Sequence, residues 1–193
     1  MISQRIRTAS LAMAIVAGHV GLAGAQKPAA SWLDEAKPGP WNKPGASIPG
    51  APKVQGPVDS KCRADARPPQ LDEDKRVRDQ GWDLVGAYQG GWDIVVIRGT
   101  AGYDGMCRPR QYQDLVFVRG GFVGTLSPQP MESRTDGAIS RVFLQGRNRL
   151  TAEYARYASG DPLCCPSRTT SVIFEIARDT QVVRPVSAST TKQ

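Results

Sequence analysis

The side chains that most often carry out catalysis are scarce in this chain of 193 residues. Its single histidine, His19, lies in an apolar N-terminal segment that we expect to be removed, so the mature chain would have none. Histidine is the usual general base near neutral pH, and it completes Ser-His-Asp triads, Cys-His pairs and many zinc sites. The sequence therefore predicts no histidine-dependent catalytic site, no metal site and no cofactor.

Four cysteines, Cys62, Cys107, Cys164 and Cys165, are the next candidates for chemistry. An even number in an exported chain indicates disulfides, and four cysteines allow three connectivities. A bond between adjacent residues strains the peptide, so we expect the two crossed pairings, which tie the double cysteine to both Cys62 and Cys107. A redox or metal-binding thiol pair is the alternative, although the sequence has no Cys-x-x-Cys.

Carboxylates and arginines fall in three segments rich in turn residues, 103–112, 127–137 and 159–168. A carboxylate pair can hydrolyse glycosides without histidine, but the spacing of these acids selects no pair. Arginines gathered by disulfides would form an anion-binding patch, because the guanidinium grips carboxylate or phosphate with two parallel hydrogen bonds. Scattered surface arginines are the alternative. The candidate binding loop contains Arg108, Tyr112, Arg134, Arg156, Asp161 and Arg168.

The elements that must position these loops are mainly antiparallel strands. Acidic residues precede basic ones over residues 71–80, which predicts a short helix ending at Gly81. Four pairs of strand-like segments are separated by short turn sequences. The predicted pairs are 82–88 with 92–98, 114–119 with 122–126, 139–144 with 149–157, and 170–177 with 181–186. We therefore predict an α+β domain, a disulfide-stapled antiparallel meander of about 6–8 strands with one short N-terminal helix.

The N-terminus divides into two further zones. Residues 1–25 have basic, apolar and small-residue parts typical of a cleaved signal peptide. Residues 26–60 are rich in proline and glycine yet contain Trp32 and Trp41, so we expect an extended arm whose aromatic residues dock on the domain or on a partner; a disordered leader is the alternative. The folded domain is expected over 61–187, followed by a disordered tail over 188–193.

Several of these segments together resemble the LppP/LprE family of bacterial envelope proteins. The resemblance covers roughly residues 104–177, and the run Asp-Pro-Leu-Cys-Cys-Pro-Ser at 161–167 is its most specific part. The family implies an extracytoplasmic domain with no established enzymatic activity and supplies no catalytic residues. Many members resemble lipoproteins, whereas no cysteine stands at the expected cleavage site here, so the chain is similar to a non-lipidated, cyanobacterial-like member.

These observations predict a non-enzymatic, exported envelope protein, periplasmic or extracellular, that is a binding or structural module and uses the loop face around the cysteine motif. The partner would be an envelope protein or an anionic envelope component. The formal charge of +7 is moderate, and no basic stripe with interleaved aromatics predicts nucleic-acid binding. Other possibilities are an inhibitor of an envelope hydrolase, a thiol-redox protein, or a carboxylate-based hydrolase. No membrane span is expected after signal cleavage.

Overall fold

A computed structural model describes residues 31–54, 60–64 and 66–193. The predicted signal peptide therefore lies outside the described residues. Within them, no helix is long and apolar enough to cross a membrane.

The first sheet has five antiparallel strands. They are β1 (Asp83–Leu84), β2 (Gln89–Gly91), β3 (Ile94–Tyr103), β4 (Pro109–Val118) and β5 (Gly121–Thr125). β3 pairs with β4, which pairs with β5, while the short β1 and β2 lie one after the other along the free edge of β3. Before the sheet come two helices, α1 (Ser60–Arg63) and α2 (Asp72–Asp79). The predicted helix over 71–80 is confirmed, and Gly81 follows it in the left-handed conformation, with φ of +87°.

The second sheet is a regular four-stranded meander. Its strands are β6 (Ile139–Leu144), β7 (Arg149–Arg156), β8 (Arg168–Ala177) and β9 (Val182–Lys192), paired in chain order. The prediction of a disordered tail over 188–193 is wrong, because β9 stays paired with β8 as far as Lys192. Its Ser and Thr residues form backbone hydrogen bonds there, which an isolated polar tail would lack.

Two predicted turns are displaced along the chain. The predicted turn at 89–91 is wrong: these residues form β2, and the turn consists of Trp92 and Asp93. The next hairpin turns at Arg119 and Gly120, one residue earlier than predicted. Both hairpins thus have two-residue turns, and the pairing register differs from the one predicted from the glycine positions.

The chain splits into two sheets at the long connection between β5 and β6. Both sheets contribute to one core, in which Ile94, Val96 and Val116 of the first sheet meet Leu150 and Phe174 of the second. The meander therefore buries its apolar face against itself, as sheets with one apolar face must. The α+β class is confirmed, with nine strands in two sheets among the described residues.

A second, smaller core covers the other face of the first sheet. There Val77 of α2 packs with Trp82, Ile97 and Phe117. The helix is fixed by the fully buried Asp74, which accepts two hydrogen bonds from Arg67, at 2.6 and 2.7 Å. Burial raises the pKa of Asp74, but hydrogen bonds from Arg67 and from two backbone amides outweigh it, and the net pKa is lowered.

The described part of the arm, residues 31–54, docks on the domain. Trp32 and Trp41 stack edge to face, 4.9 Å between ring centroids, and Trp41 also meets Phe174 at 6.0 Å. The Asn42 side chain joins the two sheets, because its amide nitrogen donates to Thr125 O and to Val183 O, each at 2.9 Å. The arm thus closes the seam between the last strands of the two sheets, which agrees with docking on the domain rather than a disordered leader.

Candidate functional site

Three segments lie at one end of the two sheets. Each consists of a connection and the strand residues next to it, and we call them together the loop face: residues 103–112, 127–137 and 159–168. The middle connection links the outer two. Its Ser133 hydroxyl donates to Pro109 O at 2.8 Å, and the backbones of Met131 and Tyr112 exchange two hydrogen bonds. At its other end, Asp136 accepts from the backbone of Tyr157 and from Arg156. The middle segment is therefore hydrogen-bonded to the first segment and to the end of β7, which leads into the third.

Arg156 lies at the base of this surface and is 4% exposed. Its guanidinium donates to Asp136 at 2.9 Å, to Asp34 of the arm at 2.7 Å, and to Thr170 at 3.2 Å. Burial lowers the pKa of Arg156, but hydrogen bonds to Asp136 and Asp34 outweigh burial, and the net pKa is raised. The hydrogen bond from Arg156 in turn lowers the pKa of Asp34. Because its donors are used inside the protein, Arg156 joins the arm to the loop face and does not present a charge to a ligand.

Arg108 and Arg110 are also engaged within the protein. Arg108 donates to Asp104 at 2.5 Å, which lowers the pKa of Asp104 to about 2. Arg110 lies 3.4 Å from Glu132 of the middle connection. In these pairs a carboxylate of the loop face neutralises each arginine, so the net positive potential of the loop face is small.

The remaining predicted site residues occupy different environments. Tyr112 is buried, and its hydroxyl donates to Ile139 O at 3.3 Å. Asp161 accepts from the backbone of Ala158 and Ser167, and these bonds lower its pKa, as in a turn former. Arg134 is exposed and makes no hydrogen bond or ion pair with any described residue. Arg168 is half-buried beside Arg156, and its Nε finds no hydrogen-bond partner within the described chain. The six residues therefore do not form the predicted anion patch.

All four cysteines are bonded, but not in the crossed pairings that we expected. Cys62 pairs with Cys107, with Cα atoms 5.0 Å apart, and Cys164 pairs with its neighbour Cys165, at 3.8 Å. The expectation is wrong because α1, which carries Cys62, packs against β3 beside Cys107, whereas the double cysteine belongs to the β7–β8 connection of the other sheet.

Two exposed apolar side chains lie close to these disulfides. Met106, next to Cys107, and Leu163, next to Cys164, are each 68% exposed. The Tyr157 hydroxyl donates to Leu163 O at 3.1 Å and helps to fix that loop. A groove of about 560 Å³ runs between Trp32 of the arm and the middle connection, and Pro128, Pro130 and Met131 line it. The loop face thus combines fixed loops, apolar tips and a groove.

Sequence reasoning missed a cleft between the sheets, on the side opposite to the arm. Its volume is about 320 Å³, and Arg98, Asp114 and Arg141 lie in its lining. Arg98 and Asp114 are directly paired across β3 and β4, with two hydrogen bonds of 2.7 Å. The signal in the sequence was an acidic residue, Asp114, on the face of β4 where Tyr112 and Val116 belong to the core. Burial lowers the pKa of Arg98, but Asp114 outweighs it, so the guanidinium stays charged.

No group of three or more metal-ligating side chains occurs among the described residues. The carboxylates of the loop face accept hydrogen bonds from arginine, glutamine or backbone amides. This arrangement is typical of acids that hold loops in place, and it differs from the facing pair needed for glycoside hydrolysis.

Comparison with known proteins identifies the central part of the chain. Residues 88–179, from just before β2 to the β8–β9 turn, match the family model described as LppP/LprE lipoprotein. The matched region includes Cys107, Cys164 and Cys165, and it leaves out the arm, both helices, β1 and β9. No curated protein and no solved structure matches the chain. The resemblance predicted from the cysteine loop is confirmed, because residues 88–179 are similar to the LppP/LprE lipoprotein family.

Proposed function

We propose that the protein is a non-enzymatic binding module that acts outside the cytoplasm and docks a partner protein on the loop face. The observation that carries the proposal is the position of Met106 and Leu163. These are two of the four large apolar side chains that are exposed in the described chain, and each stands beside a disulfide in the loop face. Exposed apolar anchors on rigid loops lose little conformational entropy when they bind, so they suit a protein interface.

The charges of the loop face favour a protein partner over an anionic polymer. Arg108, Arg110 and Arg156 are each paired with a carboxylate, and among the arginines of the loop face only Arg134 is exposed without such a partner within the described residues. A polyanion would have to compete with these internal pairs for the guanidinium donors. A partner with an apolar ridge would instead use Met106, Leu163 and the groove beside Trp32.

Crosslinking tests this assignment. A photoreactive residue in place of Leu163 should capture one discrete partner in the cells that make the protein, and the same residue in place of Phe143 serves as the control. Phe143 is 43% exposed but lies on β6, outside the loop face. An excess of the unlabelled protein should abolish the crosslink at 163, whereas the variant M106D/L163D should compete at least tenfold less well. Equal capture at both positions, or full competition by the variant, would contradict the proposal.

A thiol-redox activity is the second candidate, because both Cys164 and Cys165 are exposed. Thiol titration under increasing reductant separates the two functions. We expect no free thiol in the native protein. C164S/C165S should loosen the loop locally but should leave partner capture unchanged. Reversible opening of the Cys164–Cys165 disulfide under mild reductant, coupled to oxidation of a protein substrate, would favour the redox function.

A further inference from the structure

The opposite end of the molecule carries a cationic site, formed where the four tight turns of the two sheets meet. A cavity of about 370 Å³ lies between the β2–β3 and β4–β5 turns of the first sheet and the β6–β7 and β8–β9 turns of the second. Arg119, Arg147 and Arg178 line it, and Trp92 stands at its rim with half of its surface, 52%, exposed. We call this set of residues the turn-end site.

The charges in the turn-end site are not balanced within the protein. Arg119 is 3.3 Å from Asp93, the only carboxylate in the lining. Arg147 and Arg178 are exposed, and their guanidinium groups make no ion pair or hydrogen bond with any described residue. Two arginines thus keep all their donors available, in contrast to Arg108, Arg110 and Arg156, which are paired with carboxylates.

The backbone of the turn-end site is held in an unfavourable conformation. Trp92, Asp93, Arg119 and Gln181 have φ of 51°, 68°, 48° and 51°. These are four of the seven non-glycine residues of the described chain with positive φ, and all four line this one cavity. Two-residue hairpin turns prefer Asn-Gly, and a bulky residue such as tryptophan is an outlier in the left-handed region. Residues held in such conformations concentrate at binding sites.

The exposed indole among arginines indicates what the site binds. A soluble anion would use the guanidinium groups but would leave the ring of Trp92 in water. An anionic membrane surface satisfies both, because its phosphates accept hydrogen bonds from arginine while indole rings partition to the interface between headgroups and acyl chains. Juxtaposed arginines are attracted to such a surface, and the attraction accumulates with each charge.

We propose that the turn-end site binds the phosphate headgroups of anionic phospholipid, with Trp92 inserted at the interface and Arg147 and Arg178 on the phosphates. This site is separate from the loop face and does not depend on the proposed function. It would hold the protein on the membrane with the loop face directed away from it. Sheet strands about ten residues long separate the two ends.

Cosedimentation with vesicles tests the proposal. The full chain should bind vesicles of mixed phosphatidylglycerol and phosphatidylcholine, and the total tryptophan emission should shift to the blue because Trp92 enters the interface. R147Q/R178Q should weaken this binding by about tenfold to thirtyfold. The matched control R134Q/R141Q removes the same charge from two other exposed sites and should change binding less than about twofold. Every variant carries the same residues 1–30, so any binding by that segment is common to all variants and cancels in the comparison.

Trp92→Asn separates a binding role from a structural one. Asparagine tolerates the left-handed conformation, so this variant should unfold at the same or a higher temperature than the wild type and yet lose vesicle binding and the spectral shift. Equal binding by wild type and R147Q/R178Q, or an equal loss in the control, would overturn the proposal. So would arginine-dependent binding of soluble polyphosphate without binding of the vesicles, since that result assigns the site to a soluble anion.

Discussion

The Asn42 side chain offers the sharpest test of how the arm and the two sheets are held together. Its amide nitrogen donates to Thr125 O and Val183 O, and its oxygen accepts from Thr125 N, all at 2.9 Å. Asn42→Ala removes the three hydrogen bonds and leaves their partners half-buried. At a net value of about 1 kcal/mol per bond, we expect the free energy of unfolding to fall by about 2–4 kcal/mol.

Urea unfolding followed by tryptophan fluorescence measures this change. Lys43→Ala is the matched control, because Lys43 is exposed and its side chain makes no interaction with any described residue. Its free energy of unfolding should stay within about 0.5 kcal/mol of wild type. If Asn42→Ala also stays within that range, the arm does not close the seam as described.

A charged replacement sharpens the same test. Asn42→Asp keeps the size of the side chain but directs a carboxylate at two carbonyl oxygens, Thr125 O and Val183 O. We expect it to destabilise the protein more than Asn42→Ala at neutral pH, because the donors are lost and like partial charges face each other. At a pH low enough to protonate the new carboxyl, a donor returns and the difference should shrink. A pH-independent difference would argue against direct contact with the carbonyls.

Three further predictions concern the helix, the first disulfide and the loop-face carboxylates. Asp74→Asn should lower the free energy of unfolding by about 3–5 kcal/mol in urea titrations, because Arg67 then loses the fully buried carboxylate that balances its charge. A loss below about 1 kcal/mol would contradict this burial. Replacing Cys62 and Cys107 by serine should cost about 4 kcal/mol, the loop-entropy value for a separation of 45 residues, and an unchanged thermal midpoint would show that the bond is dispensable. The Asp104–Arg108 pair lowers a carboxyl pKa from 3.8 to about 2, so its stabilisation is complete above pH 3.8 and is lost as the pH falls to about 2. The stability difference between wild type and Asp104→Asn should vanish over that range, and a difference that stays constant would place the pair elsewhere.

Local features of the fold were accessible from the sequence because they depend on near neighbours in the chain. The helix over 71–80 follows from charge order and Gly81, and the hairpins follow from strand-like runs separated by short turn sequences. The connections over 127–137 and 159–167 were placed correctly as loops, whereas the segment predicted as a loop over 103–112 includes the first residues of β4. The family also followed from a local motif, the double-cysteine loop at 161–167, which lies inside the matched region.

The fate of each arginine depended on distant residues. Arg156 was predicted as a binding residue, yet it is buried against Asp34, which lies 122 residues earlier in the chain. Asp34 belongs to the arm, whose path cannot be derived from periodicity, because a proline-rich segment has none. The sequence identified the charged side chains but not which of them form ion pairs within the protein.

The sequence by itself determined the strands, the loops and the capacity for two disulfides, since each depends on residue types and short spacings. Only the tertiary structure decided that the meander splits into two packed sheets, that Cys164 bonds to Cys165, and that arginines without internal partners collect at the turn end. These outcomes depend on which sheet faces meet and where the arm lies. Asn42 contacts partners 83 and 141 residues away, and such contacts exist only after the two sheets have packed.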